Sequence, residues 1–293
     1  MKNIYCYDKS FEGLLSVVFD AYTRKVFPDA LQGMCEAVEA SAPSNAAGAL
    51  PLLPANSYQV SSSPEKAGRV FTALRKKLSA AGVHRLLAAW LAEEPGGDLL
   101  IFRFIRLVLD SATLLEANCG DATVFELGQM ARRVNRERHK LMGFVRFQKT
   151  AQGVYFSAIA PRHNVLPLLL NHFTQRLADQ PWIIYDCGRR YGMYYDLCGV
   201  REIWLDSPMQ DGLNWHGGQH APVRKTMQAG PSDPVLQDGR LNESLLAEGE
   251  TLVQNMWRGY FQAAVIKERI NPKLQRQFMP RHYWPYLTEL AGK

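Results

Sequence analysis

The sequence predicts an α+β protein: a mostly helical first half carrying one N-terminal strand, then an antiparallel sheet with flanking helices. Three observations lead there. Helical apolar periodicity runs through residues 65–141, with capping residues at its breaks. At Gly143 it gives way to short β-branched and aromatic runs separated by turn residues. The 47% hydrophobic and 21% charged composition is that of a globular chain, neither disordered nor fibrous.

Taken in order, Asn3-Ile4-Tyr5-Cys6-Tyr7-Asp8 alternates and is rich in strand formers. Ser10 caps a helix whose apolar positions are Phe11, Leu14, Leu15, Val18, Phe19 and Tyr22. Residues 41–64, rich in Ala, Ser and Pro, read as a loop or insertion. Ser63 caps the next helix and Pro64 suits its first turn. Helices follow at 65–80, 83–93, 98–117 and 121–141.

Beyond Gly143, strands are expected at 143–149, 153–160, 182–186, 190–196 and 200–205, joined by tight turns into an antiparallel sheet. A helix over 164–178, capped by Asn164, separates the second strand from the third. The Gly/Pro/Asp/Asn-rich stretch 206–247 reads as a mobile insertion. A helix over 248–269 and a basic, aromatic tail close the chain. No internal repeat is present, and 1–293 reads as one domain. Within it, residues 1–142 are mostly helical, 143–205 form the sheet, 206–247 are the insertion and 248–293 make the C-terminal helix and tail.

Charge is unevenly placed. Lys and Arg number 34 against 28 Asp and Glu, a formal +6. Residues 1–125 hold 12 basic and 13 acidic side chains, whereas 126–293 hold 22 and 15. A basic half beside a neutral one is what a polyanion-binding surface needs. The five cysteines are Cys6, Cys35, Cys119, Cys187 and Cys198; an odd count without CxxC spacing argues against a zinc ribbon, an iron–sulfur cluster or a disulfide framework. GxxxxGK[ST], GxGxxG, GxSxG and HExxH patterns are absent, which removes support for nucleotide hydrolysis, dinucleotide chemistry and the common hydrolase schemes. His216 and His220 stand four apart without a Cys or carboxylate beside them, so no metal and no cofactor is expected. No apolar stretch approaches the ~20 residues of a membrane helix, and Asp8 and Glu12 do not suit a signal peptide, so a cytoplasmic location is expected.

Projected at about 100° per residue, the helix over 124–142 gathers Val124, Leu127, Ala131, Val134 and Leu141 in one sector. Arg132, Arg133, Arg136 and Lys140 fall opposite, a cationic stripe suited either to a phosphate backbone or simply to solvent. Arg138 lies in the apolar sector, which calls for a carboxylate clasp or a cleft. In Arg190–Asp196, Tyr194 shares a strand face with Arg190, and such tyrosines either stack on unpaired bases or fill the core. The backbone amides around Pro161-Arg162-His163-Asn164, ahead of an apolar helix, are an expected anion site. The tail interleaves Arg258, Lys267, Arg269, Lys273, Arg276 and Arg281 with Trp257, Tyr260, Phe261, Tyr283 and Trp284. The DNA-binding candidates are therefore Arg132, Arg133, Arg136, Lys140, Arg146, Arg190, Tyr194, Lys273, Arg276 and Arg281. An acid/base set, if one exists, is drawn from Glu137, His139, His163 and Asp186.

Six segments in order carry a family resemblance: Ile4–Asp8 with Phe11-Glu12-Gly13-Leu14-Leu15; Arg136-Glu137-Arg138-His139-Lys140 through Phe147; His163-Asn164-Val165-Leu166-Pro167; Ala178–Asp186; Arg190-Tyr191-Gly192; and Asn271-Pro272-Lys273-Leu274-Gln275 with Met279-Pro280 and Tyr283-Trp284. With these the chain resembles a bacterial family of DNA metabolism or DNA repair proteins of unknown biochemical activity. Members are typically encoded beside a radical-SAM protein, and some are joined to a uracil-DNA glycosylase-like domain. The resemblance implies DNA and a radical-SAM iron–sulfur protein as partners, and it brings no catalytic residues with it. Three functions follow as expectations: an accessory protein that binds DNA and presents it to that partner, an enzyme acting on a DNA base, or a scaffold that binds only protein.

Overall fold

The central strand of the first sheet, β1 (Lys2–Tyr7), buries Tyr5, Cys6 and Tyr7 in succession. Consecutive burial is what a strand covered on both faces requires, and β1 runs parallel to both neighbours, β2 (Ala30–Gly33) and β3 (Ala55–Gln59). The coordinates are a computed structural model describing residues 2–34, 55–111, 120–205, 215–217, 236–237, 240–241, 243–266 and 269–290. The chain divides into two compact units, 1–135 and 136–293.

In the first unit, Ser10 starts α1 (Phe11–Arg24) as expected, its Oγ accepting from the Gly13 amide at 2.8 Å. Ser63 and Pro64 start α2 (Pro64–Lys77) in the same way, and Ser79 caps α3 (Ala80–Trp90). α4 (Gly97–Asp110) completes the helical layer, burying Ile101, Phe102, Phe104 and Ile105. Two expectations are corrected. The stretch 41–64 is not all loop, because β3 lies within it, although 41–54 falls outside the described residues. The helix expected over 98–117 caps at Ser111, and 112–119 lies outside the described residues.

α5 (Ala122–Phe144) runs from the first unit into the second. Val124, Leu127, Ala131, Val134 and Leu141 are all buried, as the projection requires. α5 extends past its expected end, so the strand expected at 143–149 shrinks to β4 (Gln148–Lys149). Then follow β5 (Tyr155–Ile159), α6 (Leu166–Arg176), β6 (Trp182–Asp186), β7 (Tyr191–Tyr195), β8 (Val200–Leu205) and β9 (Trp215–Gly217), the strands hydrogen-bonded in that order.

The sheet is mostly antiparallel. Its exception is the parallel pair β5–β6, with α6 as the crossover that parallel strands need. One face carries a core of Val154, Phe156, Ala158, Ile183, Tyr185, Ile203 and Leu241. α6 reaches the sheet through Phe173, whose ring lies 6.2 Å from that of Trp182. Part of the insertion expected over 206–247 is thus a strand; residues 206–214, 218–235, 238–239 and 242 lie outside the described residues. α7 (Glu250–Ala263), α8 (Pro272–Phe278) and a 3-10 turn (Arg281–Tyr286) end the chain, and Leu287 and Leu290 return to the interior.

Candidate functional site

In open sheets ligands gather at the carboxyl ends of parallel strands. The loops 160–165 and 187–190 leave β5 and β6 at such ends, and the buried polar groups of the second unit converge on the first of them. Glu137 comes from α5, about 40° from Leu141 in the apolar sector, and is 6% exposed. Its Oε1 accepts from the Arg162 amide at 2.8 Å and from the Tyr283 hydroxyl at 2.7 Å. Its Oε2 accepts from the His163 amide at 2.9 Å and lies 4.0 Å from His163 Nε2. The amides expected to hold an anion do so, and the anion is the chain's own carboxylate. Burial, and then the bond to Glu137, pushes the Tyr283 phenol well above its ordinary value.

Asp186, fully buried at the end of β6, accepts from the amides of Gly188 and Arg189 at 2.9 and 3.1 Å, and from Arg189 Nη1 at 3.0 Å. Burial pushes its carboxyl up, and the Arg189 guanidinium pulls against that without reversing it. Arg189 reaches on to the Pro161 carbonyl at 3.1 Å and the Arg162 carbonyl at 3.0 Å. Loop 161–163 is therefore gripped twice: Arg189 holds its carbonyls and Glu137 its amides. Asn164 does not cap α6, which starts after Val165 without a side-chain cap; it is fully buried and accepts from the Tyr191 hydroxyl.

Of the acid/base candidates, Glu137 and His163 meet, and Asp186 joins them through Arg189 and the loop. His139 is exposed on α5 and makes no hydrogen bond among the described residues. Both oxygens of Glu137 are engaged, taking three donors between them, so it serves this arrangement as a structural acceptor.

The cations separate into paired and unpaired. Arg133 is bound to Glu94 through two hydrogen bonds, at 2.8 and 2.6 Å. Arg146 is bound to Glu289 at 2.7 Å and lies against the Trp257 ring. Arg132 is exposed, donating to the Gly128 carbonyl of its own helix. Arg136 is exposed and Lys140 half-buried, and neither meets a carboxylate among the described residues. Arg162, missing from the sequence-based set, exposes a side chain with no acceptor among the described residues.

Arg162, whose amide Glu137 holds, and Lys140 lie near Glu137 about His282, and Arg136 precedes Glu137 on α5 with its side chain exposed. His282 joins them, its ring 3.8 Å from that of Tyr283 and its Nε2 buried without a partner. Burial pushes its pKa down, Arg162 and Lys140 push the same way, and Glu137 opposes them.

The remaining candidates are dispersed. Arg190 is exposed with a left-handed backbone at φ 56°, its amide 2.7 Å from the Asp186 carbonyl. Tyr194 packs against the sheet core with Arg201 5.5 Å from its ring centre, and Trp182, Tyr185 and Tyr191 are buried; the sheet aromatics are core. Lys273 and Arg276 are exposed on α8, and Arg281 lies over the Trp284 ring. No carboxylate closes on Arg138 among the described residues, so the expected clasp is replaced by a half-buried guanidinium whose Nε has no partner. Lys267 and His220 lie outside the described residues. Among the described residues no three His, Cys, Asp or Glu side chains are grouped to hold a metal.

A family model described as a domain of unknown function, DUF4130, matches residues 95–289, which include every residue of this site. No curated protein and no solved structure matches the chain.

Proposed function

The chain belongs to the DUF4130 family, and since that description names no activity we propose one from the site: a DNA-binding accessory protein that grips the sugar–phosphate backbone and presents DNA to a radical-SAM iron–sulfur protein. One observation supports the DNA-binding half of this reading. The carboxylates at the carboxyl ends of β5 and β6 are satisfied internally, whereas Arg136, Lys140 and Arg162 beside them have no anionic partner among the described residues. Unmatched cations around a spent carboxylate attract an external anion, and each phosphate they meet releases a condensed counterion. The partner rests on the family resemblance alone.

The test is binding of labelled DNA by fluorescence anisotropy across a salt series. Arg136→Ala, Lys140→Ala and Arg162→Ala together lower affinity and reduce the slope of log K against log salt by about 2–3. The thermal melting temperature stays put, since no hydrogen bond to any of these side chains is lost. Unchanged affinity and slope in the triple variant refute the assignment.

The second reading, an enzyme acting directly on a DNA base, is favoured by His163 standing 4.0 Å from Glu137 in the β5 loop. With Glu137 engaged, proton transfer falls to His163. Base release or strand cleavage by the purified chain that His163→Ala abolishes would establish it.

A further inference from the structure

Of the twelve exposed large hydrophobic residues among those described, ten fall between 252 and 278, so this stretch is a surface with an occupant rather than scattered apolar exposure. On α7, Leu252, Met256 and Tyr260 recur every fourth residue and are 64%, 66% and 65% exposed, one outward stripe. Beside it the Trp257 ring lies 5.7 Å from that of Tyr260 at an interplanar angle of 30°. Trp257 is fixed by its Nε1 donating to Glu289 at 3.1 Å, so the ring pair has a rigid base and an open outer side. On α8, Phe278 is 62% exposed.

Among the described residues the cations of α7 and α8 meet no carboxylate. Arg258 turns inward, donating to the Thr288 carbonyl and the Asn255 side chain, and the exposed Arg276 donates to the Pro272 carbonyl. Lys273 has no partner among the described residues. Among the described residues of α7 and α8 the one acid is Glu250, buried at the start of α7. An occupant must therefore offer apolar faces together with negative charge. A second copy of the same face offers like charge, which opposes pairing. Duplex DNA offers the charge but hides its bases in the stack, whereas a single strand offers both. Aliphatic neighbours such as Met256 can cover an unstacked base as rings do.

We propose that the exposed residues of α7 and α8 seat single-stranded DNA, with an unpaired base stacked on the open side of Tyr260 and phosphates met by Lys273 and Arg276. The proposal rests on the DNA-binding reading above and narrows it to single strands.

The probe is a fluorescein-labelled oligo(dT) of about 20 nucleotides, compared with a duplex of the same length. Tyr260→Ala and Phe278→Ala each weaken single-strand binding about tenfold and leave duplex binding nearly unchanged, and Tyr260→Trp restores it. Both side chains are exposed, so the variants keep the melting temperature of the parent. If neither substitution moves oligo(dT) affinity while the Arg136, Lys140 and Arg162 triple variant still loses DNA binding, this inference fails and the DNA-binding reading stands. If the parent chain binds neither DNA, both fail. Preferential binding of phosphatidylglycerol vesicles, or a dimer that Tyr260→Ala dissociates, also overturns the proposal by giving the face another occupant.

Discussion

Tyr283 donates its hydroxyl to Glu137 at 2.7 Å across 146 residues of sequence, and both groups are buried. The same carboxylate holds the Arg162 and His163 amides, so its removal strands three donors at once. Glu137→Ala should cost about 2–4 kcal/mol and Tyr283→Phe about 1 kcal/mol, read from urea midpoints at constant m. The double variant should cost less than the two together, because the shared bond is lost only once. Strict additivity would show that the two groups do not act on each other.

Among the described glycines of the first unit, Gly13 is the most closely enclosed. A Cβ there would sit 2.1 Å from Asp8 Oδ1 and 2.9 Å from Ser62 Oγ. Asp8 is held by the Ser10 amide and by the hydroxyls of Ser10 and Ser62; burial pushes its carboxyl up, and these bonds outweigh that and keep it below its ordinary value. Gly13→Ala must displace that carboxylate, losing more than the gain of up to about 1 kcal/mol that Ala brings to a helix interior. A net loss of about 2 kcal/mol in thermal or urea unfolding is expected. A neutral or stabilising result would mean that Asp8 moves aside freely.

Local chemistry made much of this legible. Ser10, and Ser63 with Pro64, announce their helices, and the apolar sector of α5 is the buried one. The strands β5 and β6 carry no mark of direction in their own composition, so an antiparallel sheet is expected; the mark of their parallel pairing is the helix expected over 164–178, the crossover that a hairpin does not contain. β3 was hidden because Ala55–Gln59 draws its order from pairing with β1, not from its own composition. At the site, Arg138 stands out in the apolar sector by its charge, yet Glu137 occupies that sector too and is the group the fold uses. Of its partners, the Arg162 and His163 amides belong to the loop whose sequence marks an anion site, whereas Tyr283 is set by tertiary contact and leaves no local pattern.

Glu289 gives the fold a pH dependence of known sign. Burial raises its carboxyl, but the Arg146 guanidinium, with help from Trp257, lowers it more, so the folded pKa lies below the ordinary 4.5. A depressed acid contributes stability that is complete above its unfolded pKa and vanishes as pH falls through the folded one. The stability difference between the parent and Glu289→Gln should be largest near pH 7 and should shrink below about pH 4.5. Asp186 is held above its ordinary value and acts with the opposite sign, so the difference curve, rather than the parent curve alone, is the measurement to make. A difference independent of pH would mean that Glu289 contributes nothing through its charge.

Arg133 and Arg136 stand three residues apart on α5 and should behave differently toward DNA. Arg133 is held by Glu94 through two bonds, so its charge is already compensated, and freeing it for phosphate would mean giving up that pair. Arg136 has no partner among the described residues to give up. Arg136→Ala should weaken DNA binding and lower the salt slope by about one, whereas Arg133→Ala should leave the slope within error and cost at most about 1 kcal/mol of stability from the lost surface pair. The decisive comparison is the salt slope of each single variant under one buffer. If Arg133→Ala lowers it as much as Arg136→Ala does, then pairing in the folded chain does not sort the cations that meet phosphate from those that do not.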